Sequence, residues 1–227
     1  MPMYVPGFVK SFNIDQGMTL GNDQLFQATY NAPLTDYKRR GICMGLSAVW
    51  LSRLLMWHNE TPQQRFQALQ GIPGFQFGGR AQDLSGDSPP LQAFGLTSVA
   101  GSDSTIPVNN HRAAAARQFA PCVTPVHTSR LWGIRLSLRY SRAGHMVASY
   151  ASGGKLGLRR HLYFFDANMG EYIVDIGDTA QFVKSWLLSY TGDKVGGVVE
   201  SLESFAVQGG AGRRQVVYEG TDNIREY

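Results

Sequence analysis

The amino-acid sequence predicts an α+β protein, a helical half followed by an antiparallel sheet, and three observations lead there. Apolar residues recur at helical spacing across 44–57. From Cys122 onward the period changes to two, and the runs 131–140, 145–151, 161–166 and 171–176 read as strands between Gly- and Asn-containing turns. Charged residues make up only 17% of the chain and glycines number 26, a balance that excludes a coiled coil and disfavours a helical bundle.

The 227 residues fit one domain of two lobes around a cleft, a helical lobe at about 1–120 and a sheet lobe at about 121–227. The helix over 44–57 carries Leu46, Val49, Trp50, Leu54 and Trp57 on one stripe, and Ala48, Leu51 and Leu55 widen it, so this helix is buried on most sides and central. The next, 61–70, has Thr61 as cap, Pro62 in the first turn, Gln64 three residues after the cap and Gly71 as stop. Residues 71–110, rich in Gly, Ser, Pro and Asp, read as a long excursion between the lobes. A short Ala-rich helix follows at 111–119. After the four strands, Asp178 with Gln181 three residues on opens a helix bearing Phe182, Val183, Trp186 and Leu187, and strands at 197–208 and 214–218 finish the sheet.

The formal charge of +4 is mild, and the basic runs Lys38-Arg39-Arg40, Arg159-Arg160 and Arg213-Arg214 are scattered rather than gathered into a stripe, which argues against nucleic acid as a partner. No apolar run approaches the roughly 18 residues of a membrane span, since Arg53 interrupts the richest stretch. The N-terminus has no cleavable signal pattern, so synthesis in a cytoplasm is expected. Two cysteines do not make a disulfide scaffold. The five histidines show no metal-ligand spacing, and phosphate-loop and dinucleotide motifs are absent, so neither a metal nor a cofactor is expected.

Chemistry gathers at three residues. Cys43 stands in the first turn of the central helix, just after Lys38-Arg39-Arg40. There the positive end of the helix dipole and nearby cations favour the thiolate. His145 begins a strand in Gly144-His145-Met146-Val147, and Asp166 ends the apolar run of HLYFFDAN, where an unpaired carboxylate would be costly. A hairpin turning on 153–156 sets His145 directly opposite Asp166, within reach of a cross-strand pair. With Cys43 supplied from the facing helix, the set matches a nucleophile, a base and its orienter.

The segments Gly41-Ile42-Cys43-Met44-Gly45-Leu46-Ser47-Ala48-Val49-Trp50, Gly144-His145 and Asp166-Ala167-Asn168 resemble the YopT/AvrPphB family of papain-like cysteine proteases. In that family the Cys heads a helix and is followed by Leu-Ser and a Trp, the His begins a strand and the Asp sits on the next one. The resemblance covers about 41–170. It implies a papain-like fold, thiol protease activity through Cys43, His145 and Asp166, and a bacterial effector or toxin passed into another cell by a specialised secretion system. A type VI apparatus fits the short stretch before Cys43 better than a type III one. An immunity protein or a secretion chaperone is then a natural partner.

Papain-like enzymes carry an Asn or Gln shortly before the nucleophile as an oxyanion donor, yet here that stretch is Thr35-Asp36-Tyr37-Lys38. Gln24, Gln27 and Asn31 lie upstream, and the Cys43 backbone N–H supplies a second donor. Asn168 competes with Asp166 as orienter, although its expected place is the turn before Glu171. Trp50, Trp57, Trp132 and Trp186 read as core, Cys122 as buried and inert, and His58, His111, His127 and His161 as residues without a visible partner. The leading reading is a cysteine peptidase acting on a protein. The same triad in an NlpC-type hydrolase would cut peptidoglycan peptides, and a third reading is an idle papain-like binding domain.

Overall fold

The computed structural model describes residues 3–16, 41–57, 59–86, 88–109, 111–138, 141–154, 159–191, 197–209, 216–219 and 223–226. Its helices are α1 (Cys43–Met56), α2 (Pro62–Gln70), α3 (Gly79–Ser85), α4 (Arg112–Val123) and α5 (Thr179–Ser189). Its strands are β1 (Lys10–Phe12), β2 (Leu96–Ser98), β3 (Ser104–Pro107), β4 (Ser129–Leu138), β5 (Ser141–Ala151), β6 (His161–Asp166), β7 (Gly170–Asp175), β8 (Gly197–Gly209), β9 (Val216–Glu219) and β10 (Asn223–Glu226).

Eight strands form one antiparallel sheet in the order β1-β7-β6-β5-β4-β8-β2, with β3 also on β8. Both faces are covered, which explains why β6 reads as a nearly continuous apolar run rather than a strict alternation. Leu131, Ala148 and Phe165 point to α1, whereas Trp132, Ile134, Val147 and Phe164 point to α4 and α5. Trp132 meets Trp186 and Phe119 with ring centroids 4.9 and 4.6 Å apart, an aromatic cluster that fills the second core.

Helix α1 is buried as its stripe predicts. Leu46, Ala48, Trp50 and Leu51 are fully enclosed, and each large apolar side chain contributes about 1.5–3 kcal/mol. Trp57 differs from the expectation of core: it is half-buried, with the Arg53 guanidinium 4.5 Å from its ring centroid. Helix α2 begins with the capping box read from its sequence, Gln64 N–H donating to Thr61 Oγ1 at 3.3 Å and Thr61 N–H to Gln64 Oε1 at 2.8 Å.

A buried charge cluster ties these two helices to the sheet. Glu171 of β7, fully enclosed, accepts from Arg65 of α2 at 2.6 and 2.8 Å and from Trp50 of α1 at 2.7 Å. Three donors on one carboxylate satisfy a charge that would otherwise be prohibitive at that depth.

Four expectations need correction. Residues 71–110 are not a structureless excursion: a π-helical segment (Ile72–Gly78) leads into α3, a 3-10 turn (Gln92–Phe94) follows, and β2 and β3 join the main sheet. Glycines and prolines broke the periodicity there, while close backbone packing against α1 supplies the order. The strand expected at 214–218 runs from Val216 and pairs with β10 in a separate two-stranded ribbon, not in the main sheet. Asp178 precedes α5 but its side chain makes no cap; Asp175 instead accepts from Gly177 N–H at 3.3 Å in the 3-10 turn before the helix. Cys122, expected to be buried, is half-buried on α4 at 3.9 Å from Ser104 Oγ.

Candidate active site

The three residues singled out in the sequence converge where the start of α1 meets β5 and the end of β6. Gly41, with φ of +114° in the region that favours glycine, turns the chain into α1. Cys43 therefore occupies the first helical position, half-buried, and accepts a hydrogen bond at its Sγ from Met146 N–H at 3.5 Å. One residue before Met146, His145 lies buried and presents Nε2 to Asp166 Oδ1 at 2.8 Å. That bond leaves Nδ1 as the ring nitrogen available to the thiol.

Asp166 is fully enclosed, yet all its acceptor capacity is used. Oδ1 also accepts from Asn168 N–H at 2.8 Å, and Oδ2 accepts from Trp186 Nε1 at 2.8 Å and Tyr190 Oη at 2.7 Å. Burial raises the carboxyl, but the facing His145 and these hydrogen bonds outweigh it and hold the group below its ordinary value. The imidazole responds in kind. Burial lowers it, while the charge and hydrogen bond of Asp166, and then Cys43, push it up to about 10. Burial likewise raises the thiol, and His145 together with the Met146 N–H overrides that and lowers it. Both directions favour the charged thiolate–imidazolium pair over the neutral one.

The expected register was wrong by two residues. Asp166 pairs with Val147, not with His145. A slip of two preserves the face on which each side chain stands, so the imidazole and carboxylate meet diagonally.

The first turn of α1 leaves backbone N–H groups without helical partners. Ile42 N–H donates to Gln16 Oε1 at 2.7 Å, and Gly45 N–H to Gln82 Oε1 at 2.9 Å. Neither glutamine was anticipated. Gln24, Gln27, Asn31 and the cations Lys38, Arg39 and Arg40, on which the sequence reading relied, lie outside the described residues. Gln82 also donates Nε2 to Gly41 O at 3.1 Å, so its carboxamide spans the residues on either side of Cys43.

Gln82, Cys43 and His145 share a cleft of about 830 Å³, whose floor is laid by Gly133, Thr105 and Glu203 on the α1 face of the sheet. Its size falls within the range of ligand-binding clefts. Other histidines stand apart from it: His127 pairs with Tyr150 at 2.9 Å at the other end of β5, and His161 has a buried Nδ1 without a partner among the described residues. His58 lies outside them. Sequence reasoning missed Tyr190 and the polar role of Trp186. Trp186 lies on α5 and Tyr190 is its C-cap, four residues on, a spacing that marked a stripe but not its target.

No protein-family model matches the chain, and no curated protein matches it. Among solved structures, the Pseudomonas avirulence protein AvrPphB is similar with a TM-score of 0.58 and 19% identity, covering 77% of this chain and 95% of that one. PatoxP, a cysteine protease-like domain of the Photorhabdus asymbiotica toxin PaTox, is similar with a TM-score of 0.43 and 11% identity over 86% of this chain and 52% of that one. The first likeness establishes the fold: the chain is α+β and papain-like, as its sequence predicts.

Proposed function

We propose that this chain is a papain-like cysteine peptidase that hydrolyses a peptide bond through Cys43, His145 and Asp166. The observation that carries the reading is the continuous line from thiol to imidazole to a buried, fully satisfied carboxylate, His145 Nε2 to Asp166 Oδ1 being 2.8 Å. A thiolate at the positive end of a helix attacks the carbonyl carbon. The oxyanion that forms meets the Cys43 N–H and the second Nε2 hydrogen of Gln82, since the first is held by Gly41 O. His145 gives its proton to the leaving amine as the C–N bond breaks and a thioester remains. Water, deprotonated by the same imidazole, then attacks the thioester; the C–S bond breaks, the acid leaves, and the thiolate–imidazolium pair is restored. Asp166 holds the ring throughout and takes no proton.

The cleft, at about 830 Å³, has room for a short peptide segment. The motifs around Cys43, His145 and Asp166 support an effector or toxin that is made in a bacterial cytoplasm and delivered into a target cell. An immunity protein or a secretion chaperone would be its partner. No helix among the described residues is long and apolar enough to cross a membrane.

An acyl-directed, mechanism-based thiol probe applied to the purified chain tests the reading. Labelling at Cys43, absent in His145→Ala, is the expected result. Expression of the wild type and Cys43→Ala in cytoplasm and periplasm then locates the substrate. Toxicity in the cytoplasm that requires Cys43 supports a protein target, whereas toxicity confined to the periplasm with release of peptides from purified sacculi would replace the protein by peptidoglycan. A chain that no probe labels would be an idle binding domain.

A further inference from the structure

Helix α1 carries the nucleophile and the sheet carries its base, and few polar bonds join them near Cys43. Two are the Met146 N–H to Cys43 Sγ contact at 3.5 Å and Ser47 Oγ to Met146 O at 3.2 Å. A third connection is longer and better made. Ile42 N–H donates to Gln16 Oε1 at 2.7 Å, Gln16 Nε2 to Asn168 Oδ1 at 2.8 Å, Asn168 Nδ2 to Tyr190 Oη at 3.2 Å, and Tyr190 Oη to Asp166 Oδ2 at 2.7 Å. All four bonds point the same way and end on the carboxylate.

We infer that Gln16, Asn168 and Tyr190 form a hydrogen-bonded strut that sets the gap between the Cys43 thiol and the His145 imidazole, and that all three are positioning residues for the cysteine-peptidase chemistry proposed above, on which this inference rests. The head-to-tail order polarises each link and strengthens the next, with a negative charge at one end and the positive end of a helix at the other. Gln16 and Tyr190 are buried, so water does not compete for the links they make. The segment bearing Gln16 is itself pinned to the turn after Asp166, since Gln16 N–H donates to Ala167 O at 2.9 Å. Tyr190 adds a second restraint: its ring lies 5.2 Å from the His145 ring at a tilt of 32°, against one side of the imidazole whose bond to Asp166 it supports.

Breaking any link leaves the side chains of Cys43, His145 and Asp166 intact but frees the helix start from the carboxylate. The thiolate–imidazolium pair then weakens. The groups that bear on the thiol's ionisation are His145, Asp166 and Tyr190, and Lys10 bears on Asp166. None of these except Tyr190 is altered by the test, and Tyr190→Phe removes only its hydroxyl.

The test measures the rate of iodoacetamide alkylation at Cys43 against pH in the full chain, for the wild type, Tyr190→Phe, Asn168→Ala and the double variant. Asn168→Ala removes the middle link without adding a charge. Each single variant is expected to slow alkylation at about pH 6 roughly five- to tenfold, the size of one typical lost hydrogen bond. All rates should converge above about pH 10, where an ordinary thiol is ionised, and an unchanged circular dichroism spectrum shows that each variant is folded. Because both substitutions cut the same chain, the double variant should be no slower than the slower single. Unchanged profiles in the singles, or losses that multiply in the double, would overturn the strut while leaving the peptidase reading in place. A wild type whose Cys43 titrates as an ordinary thiol would overturn both.

Discussion

Asp166 lies opposite Val147 in the sheet, yet its carboxylate hydrogen-bonds the imidazole of His145, two residues away along β5, at 2.8 Å. β6 ends at Asp166, so the segment of β5 that carries His145 has no strand partner on that side among the described residues. At this edge α1 delivers Cys43, with its sulfur against Met146 N–H. Side chains on one face at diagonal positions remain within reach of each other, which is why a register error of two left the pair intact where an error of one would have separated it.

Cys43 should react with iodoacetamide at about pH 6.5 much faster than Cys122, because only Cys43 has a facing imidazole that favours the thiolate. Peptide mapping after brief labelling reads the ratio. Preferential modification of Cys122, which is half-buried beside Ser104, would contradict the assignment of the nucleophile.

Cys43→Ala and His145→Ala should abolish turnover with the circular dichroism spectrum unchanged. Asp166→Asn should leave residual activity, reduced by roughly 10²–10⁴-fold, since the orienter holds the ring without reacting. A fully active Asp166→Asn together with an inactive Asn168→Ala would transfer the orienting role to Asn168.

Gln82→Ala should lower peptide turnover by about 10²-fold, the usual loss for one oxyanion donor. Its iodoacetamide reactivity should stay near that of the wild type, because alkylation develops no oxyanion. Equal losses in both assays would mean that Gln82 acts only by capping α1 through Gly45 N–H.

The pH dependence of stability should separate the two partners of the ion pair. His145 is raised to about 10, so its protonation stabilises the fold fully below the unfolded value near 6.5, and this contribution is lost as the pH rises to about 10. Cys43 is lowered, and its contribution grows with pH up to the unfolded thiol value, opposing the histidine. The wild type should therefore lose less stability, read as its urea midpoint, between neutral pH and mild alkali than Cys43→Ala does. Cys43→Ala should lose stability over that range, and a flat profile in this variant would show that Asp166 does not raise His145.

Gly45→Ala should destabilise the fold by about 1–3 kcal/mol. A Cβ on Gly45 would overlap the Gly78 carbonyl oxygen, where α1 and the π-helical segment approach backbone to backbone. Thermal melts of the purified variant read the loss, and an unchanged midpoint would mean that the segment at 72–78 yields without cost.

What the chain's residues determined alone was local. Helical periodicity placed α1 and its buried face, the Thr61 and Gln64 pair placed the start of α2, and period-two runs placed β4 to β7, because side-chain direction follows directly from backbone geometry. The convergence of Cys43, His145 and Asp166 was also legible, since a thiol at a helix start, a histidine opening a strand and an acid ending an apolar one are each unusual enough to stand out. Tertiary structure decided everything that depends on segments far apart meeting. Gln16 and Gln82 cap α1 from 26 and 37 residues away along the chain, Trp186 and Tyr190 close around Asp166 from another helix, and β2 and β3 emerge from a glycine-rich stretch only because β8 offers them an edge. Such pairings leave no period in the sequence, for a hydrogen bond across the fold constrains two positions and nothing between them.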